Sequence, residues 1–232
     1  MSEPGVLPLS EPMAEDLQPT AFIESDHPAV RAFALEAAGA AKDDKARAVS
    51  LFYAVRDRIR YDAYAISADP ETYRASDLLA KGAGFCIPKA ILYAAGLRAL
   101  GIPARLGFAD VKNHLTTKRL RRLMDTDLFV YHGFTVLHLD GRWVKATPTF
   151  NIELCRRFGV KAMDFDGAHD ALMHPFDQSG RRHMEYVADH GTFTDLPLDT
   201  ILTVFREVYP ALLSVSIGQH DFAGEADAER SC

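Results

Sequence analysis

Apolar residues recur along the first hundred positions with helical spacing, and later with the alternation of strands. Val30, Phe33, Ala34, Ala37 and Ala38 fall three and four apart, which predicts an amphipathic helix. Asp26-His27-Pro28 opens it with a capping residue and a proline near the first helical position, and Gly39 closes it. Asp43 and Asp44 begin a second helix through Ala46, Val49, Phe52, Tyr53 and Ile59. Arg56, Arg58 and Arg60 are assigned to its solvated face. After a short helix over 75–80 comes Gly82-Ala83-Gly84-Phe85-Cys86, then Ile87, Ala90, Ile91, Leu92, Ala94, Ala95, Leu97 and Leu100. That run is apolar on nearly every face, so its helix should be buried. Pro88 fits its first turn, and Gly101-Ile102-Pro103 stops it.

Strand patterns dominate the next segment. Residues 104–110 predict a strand and 115–124 a basic helix carrying Lys118, Arg119, Arg121 and Arg122. The strongest strand spans 129–139, with His132, Phe134, Val136 and His138 on one face and Tyr131, Thr135, Leu137 and Leu139 on the other. Asp140-Gly141 is a two-residue hairpin signal, and Arg142-Trp143-Val144-Lys145-Ala146 returns antiparallel. This turn sets 139 opposite 142, 136 opposite 145, 134 opposite 147 and 132 opposite 149, so Thr147 and Thr149 should share the His132 face. A short helix at 152–158, a strand at 183–188 and a helix at 197–208 follow. Residues 1–21, with four prolines and an acidic excess, are expected to be an extended or disordered arm. Residues 22–218 form a single domain in this division, and 219–232 a frayed polar tail.

Composition narrows the function. A net charge of -6 gives no reason to expect nucleic acid or an anionic membrane as partner. Cys86, Cys155 and Cys232 are too few for a disulfide framework and include no CxxC pair, which fits a reducing, cytoplasmic setting. No Lys or Arg precedes Arg31, so a secretory leader is not expected. Arg98 and Arg105 interrupt the longest apolar stretch, so no membrane span is expected either. His169, Asp170, His174, Asp177, His183, Glu185 and His190 cluster in sequence but lack zinc-ligand spacing, so no metal and no cofactor are expected.

The candidate chemistry rests on Cys86. A cysteine at a helix start feels the positive pole, which lowers its pKa from about 8.5. A thiol nucleophile also needs a base, and His132 lies in a strand whose pattern is apolar on both faces. Taken singly, Cys86 is equally a small residue packed under a loop, and His132 a core histidine bonded to backbone.

Three separated motifs tie them together: Gly82-x-Gly84-x-Cys86, the run from Leu97 to Arg105, and His132-Gly133-Phe134 through Leu139-Asp140-Gly141-Arg142-Trp143. In order and spacing, residues 45–150 resemble the transglutaminase-like superfamily of cysteine enzymes. The resemblance implies an α+β papain-like fold, with a helical N-terminal half and the nucleophile helix packed on an antiparallel sheet. It implies Cys86 as nucleophile and His132 as general base, acting on a peptide, protein or small-molecule acyl donor by transfer or hydrolysis. One departure stands out. Where the family carries Asp-Pro-Thr, this chain has Thr147-Pro148-Thr149. Thr147 can accept an imidazole N–H but supplies no charge. Asn151 is a possible orienting residue, and Asp164 and Asp166 are further candidates. A fold that has lost catalysis is the alternative.

Overall fold

The computed structural model describes residues 6–113, 116–172, 180, 184–214 and 221–230. Two helices open the chain, α1 (Pro28–Ala38) and α2 (Asp44–Arg58). His27 caps α1 through Nδ1, and Asp43 caps α2 through its carboxylate. A two-residue strand, β1 (Arg60–Tyr61), follows. Next come α3 (Ala75–Lys81), β2 (Ala83–Gly84) and α4 (Cys86–Ala99). Gly82 ends α3 in the left-handed region at φ 64°, where glycine carries no steric penalty. β1 and β2 pair in parallel, Tyr61 with Gly84, which ties the cysteine loop to the end of α2.

β3 (Ala104–Asn113) leaves α4, and α5 (Lys118–Met124) joins it to β4 (Leu128–Leu139) and β5 (Arg142–Ala146). α6 (Ile152–Phe158), β6 (Met184–Phe193), α7 (Leu198–Val208) and α8 (Phe222–Arg230) complete the described chain. The sheet order is β5-β4-β3-β6, antiparallel throughout. Leu139 pairs with Arg142 and Val136 with Lys145, the register that Asp140-Gly141 dictates. The chain is therefore α+β, with a helical first half and an antiparallel sheet.

α4 is the hub. Every residue from Ile87 through Arg98 is buried. Its partners are the near face of the sheet and α1, α2 and α3. Thr135 donates to the Ala90 carbonyl at 2.9 Å, fixing α4 against β4. Lys89 is wholly buried, and its ammonium donates to the Arg56 and Ile59 carbonyls at 3.0 and 2.5 Å. Those carbonyls end α2 and have no helical partner of their own. Burial pushes the Lys89 pKa down to about 7.

The far face of the sheet carries Ala109, Phe134, Val136, Trp143 and Leu172. Beside them the fully buried Arg105 pairs with the equally buried Asp16 at 2.7 and 2.9 Å and lies 4.5 Å from the Trp143 ring centroid. Leu7 extends the sheet edge by bonding Thr192. Residues 6–21 thus have a fixed anchor, which their proline-rich composition conceals.

Two sequence expectations are corrected. Arg56 is not on a solvated face. It is 4% exposed and bonds the Met163 carbonyl at 2.6 Å and both Asp57 oxygens. The expected frayed tail contains α8, because Phe222 packs among Tyr61, Tyr64 and Phe158 and Glu225 accepts from the Tyr64 hydroxyl. One short apolar anchor in a polar stretch gives little periodic signal.

Candidate active site

Cys86 is the first residue of α4, and the side chain of Phe85 before it cannot cap. The first N–H groups of the helix are left without partners. Those of Cys86 and Ile87, with the N–H of Gly133, act on the sulfur to lower its pKa. The β4–β5 ladder ends at Thr135 and Ala146, so Gly133 lies just past its end, where the helix terminus approaches. A Cβ on Gly133 would sit 3.0 Å from the Ile87 Cα and 3.4 Å from its N. Glycine lets the strand and helix come this close without pressing on the head of α4.

His132 precedes Gly133 and is 4% exposed. Cys86 and His132 line one narrow cavity with Tyr61, Phe85, Phe129 and Tyr209. The strand enters His132 through a strained residue, Tyr131, at φ 52°. Asp110 accepts the Tyr131 N–H at 3.0 Å and meets His190 Nε2 at 2.6 Å, while the His190 ring stacks on Tyr131 at 4.1 Å. β3 shifts register beside Asp110 toward both neighbouring strands. Sequence alone missed this clamp. Asp110 and His190 are far apart in the chain, and bulges on two strands bring them together.

The electrostatics reverse one expectation. Burial pushes the Cys86 thiol up to about 11, against the lowering by the three N–H groups. Helix-end dipoles act within one turn and are modest. No cation stands among the causes acting on the sulfur, so desolvation wins over the helix. Burial likewise pushes His132 down to about 4. Its Nε2 is buried without a hydrogen-bond partner, as are Thr147 Oγ1 and Thr149 Oγ1.

Thr147 therefore does not hold the imidazole by a hydrogen bond. β5 pairing stops at Ala146, and the Thr147 N–H turns to the Ala171 carbonyl at 3.0 Å. Asn151 is also occupied elsewhere. Its Oδ1 accepts the Tyr61 N–H at 3.1 Å, and it stands at the start of α6. Asp164 and Asp166 are exposed; Asp164 pairs with Arg56 and Lys161, and Asp166 with His169. Among the described residues no His, Cys, Asp and Glu cluster could hold a metal ion. His174, Asp177, His183 and Cys232 fall outside those residues. No described helix is long and apolar enough to cross a membrane.

No curated protein matches the chain. Solved structures resemble it distantly. One from Cytophaga hutchinsonii, named a "putative cysteine protease", is 18% identical with TM-score 0.48, over 83% of this chain and 52% of that one. A "putative protease" from Parabacteroides distasonis is 17% identical with TM-score 0.37, over 50% of this chain and 22% of the other. This chain thus spans about half the length of the first and under a quarter of the second. The family model for the transglutaminase-like superfamily matches residues 31–148, more than half of the 232 and inclusive of Cys86, His132 and Thr147. The chain belongs to the transglutaminase-like superfamily.

Proposed function

We propose that the protein is a cysteine enzyme of acyl transfer or hydrolysis, with Cys86 as nucleophile and His132 as general base. The observation that carries this reading is the shared cavity, which Cys86 and His132 both line.

The pair rests neutral. Moving a proton from a thiol at about 11 to an imidazole at about 4 is uphill by roughly 10 kcal/mol at 1.36 kcal/mol per unit. Even if the two charges came within about 4 Å, their attraction would return only about 4 kcal/mol at an effective dielectric of 20. His132 therefore takes the proton as sulfur attacks, rather than beforehand. The sulfur–carbon bond forms, and the oxyanion meets the N–H groups at the head of α4. His132 gives its proton to the leaving group, and water or an acceptor nucleophile then cleaves the thioester. Acylation by an activated ester, read by intact mass, should vanish in Cys86→Ala and slow at least about 100-fold in His132→Ala. Acyl transfer retained in Cys86→Ala would sink the reading.

A second reading, a fold that has lost catalysis, is favoured by the unpartnered His132 Nε2 and by Thr147 where the family carries aspartate. Thr147→Asp separates the two. A gain in acylation supports a weakened enzyme, and no gain supports the scaffold.

A further inference from the structure

β4 carries an extra residue just before His132. Ala109 of β3 pairs with His132 and Val111 pairs with Phe129, so Asp110 stands opposite two residues, Val130 and Tyr131. This is a bulge, and a bulge re-aims the side chains beside it. Directly opposed residues share a face, and Ala109 and Val111 are two apart on β3. Phe129 and His132 therefore come to one side, and both line the cavity at Cys86. In a regular strand, residues three apart point to opposite faces. Without the extra residue one of the two would turn away.

β6 is bulged at the same level. Phe108 pairs with Gly191 and Ala109 with Asp189, which leaves His190 as the extra residue between them. The two bulged residues meet across β3, where the rings of Tyr131 and His190 stack at 4.1 Å and 1° from parallel. Asp110, on the strand between, serves both. Its Oδ1 accepts the Tyr131 N–H at 3.0 Å and meets His190 Nε2 at 2.6 Å. One residue back, the Val130 N–H donates to the Tyr209 hydroxyl at 2.6 Å. Both N–H groups of the β4 bulge thus donate to side chains rather than to a strand ladder. Tyr131 sits at φ 52°, a region that bulky residues rarely adopt. Such a conformation persists only where its surroundings hold it.

We infer that Asp110 is a positioning residue for His132. Its carboxylate, braced by His190, holds Tyr131 in the left-handed conformation and so keeps the bulge that turns the imidazole into the cavity. Asp110 acts through the Tyr131 backbone and not on substrate. This inference rests on the role proposed for His132 and adds what aims it.

The test is a double-mutant cycle on the full-length protein, read as acylation of Cys86 by p-nitrophenyl acetate. Asp110→Ala should slow acylation about tenfold or more, since small misplacements of a reacting group cost up to about 100-fold. In the His132→Ala background the same change should cost no more than about twofold, because its effect passes through the missing ring. Asp110→Asn keeps an oxygen that accepts from Tyr131 and should keep about half of the wild-type rate or more. Urea unfolding checks that each variant is folded; if Asp110→Ala is not, Asp110→Ser, which withdraws the acceptor but stays polar, takes its place. Equal losses with and without His132 would make Asp110 a structural residue and overturn the inference. So would an Asp110→Ala rate within about twofold of wild type while His132→Ala is slow. A rate that His132→Ala leaves unchanged removes the general base itself, and the inference with it. The His132 imidazole nitrogen resonances give a readout independent of catalysis: they should move in Asp110→Ala and hold in Asp110→Asn. Resonances that move in a protein without acylation keep the hold of Asp110 on the ring and remove the proposed chemistry. Resonances that stay in Asp110→Ala overturn that hold.

Discussion

Cys86 and His132 face the same cavity but are held in contrasting ways. Three backbone N–H groups, of Cys86, Ile87 and Gly133, favour the charged sulfur, whereas His132 Nε2 has no hydrogen-bond partner. The sulfur side is built from main chain, which comes with the helix start and the Gly133 approach. In the proposed site the imidazole side would depend on a side chain at position 147, and there a threonine stands with its own hydroxyl unpartnered. Backbone donors survive side-chain substitution, but a missing carboxylate has no backbone substitute. On the proposed reading, the nucleophile is served by main chain and the imidazole is left without a charged partner.

Breaking the sulfur side should have the largest effect. Gly133→Val forces the strand off the α4 terminus, because even a Cβ meets Ile87 at 3.0 Å. Expected are a loss of Cys86 acylation of about 100-fold or more and destabilisation of about 1–3 kcal/mol, read by urea unfolding. Repairing the imidazole side comes next. Thr147→Asp should raise the His132 pKa by about 1–3 units from about 4 and accelerate acylation about tenfold or more. The His132 titration is read by NMR of the imidazole nitrogens. An unmoved titration would show that position 147 does not reach the ring.

Lys89 sharpens the contrast from beneath α4. Its folded pKa, about 7, lies below the unfolded value, so the unfolded chain binds more protons between about 7 and 10.5 and stability rises with pH there. Between pH 7.5 and 8.5 the wild type should gain about 1.4 kcal/mol per pH unit relative to Lys89→Met. Equal slopes would mean that Lys89 is charged in the fold. The smallest effect belongs to Asn151→Ala. It leaves the Tyr61 N–H unpaired at a cost of about 1–2 kcal/mol and should leave the pH profile of Cys86 modification unmoved. A shifted profile would restore Asn151 as an orienting residue.

The elements around Cys86 were legible in sequence because their signals are local. An all-round apolar run placed α4, and Asp140-Gly141 fixed the β4–β5 register. The buried charges were not legible, since Lys89, Arg105 and Arg56 are held by carbonyls and a carboxylate distant in the chain. β6 continues to Phe193, beyond the expected 188, through a stretch where Asp189 and Gly191 dilute strand alternation. Cys86 and His132 could be named from motifs, but their protonation could not. Spacing shows a helix start; it does not show how deeply the walls exclude water.

The most direct measurement is the alkylation rate of Cys86 against pH, resolved by peptide mass spectrometry, with Cys155 in the same digest as the buried comparison. A neutral thiol–imidazole pair requires a slow rate at pH 7 that climbs about tenfold per pH unit toward about 11, as desolvation of the sulfur dictates. A plateau already reached below pH 7, lost in His132→Ala, would instead establish a resting thiolate–imidazolium pair and contradict it.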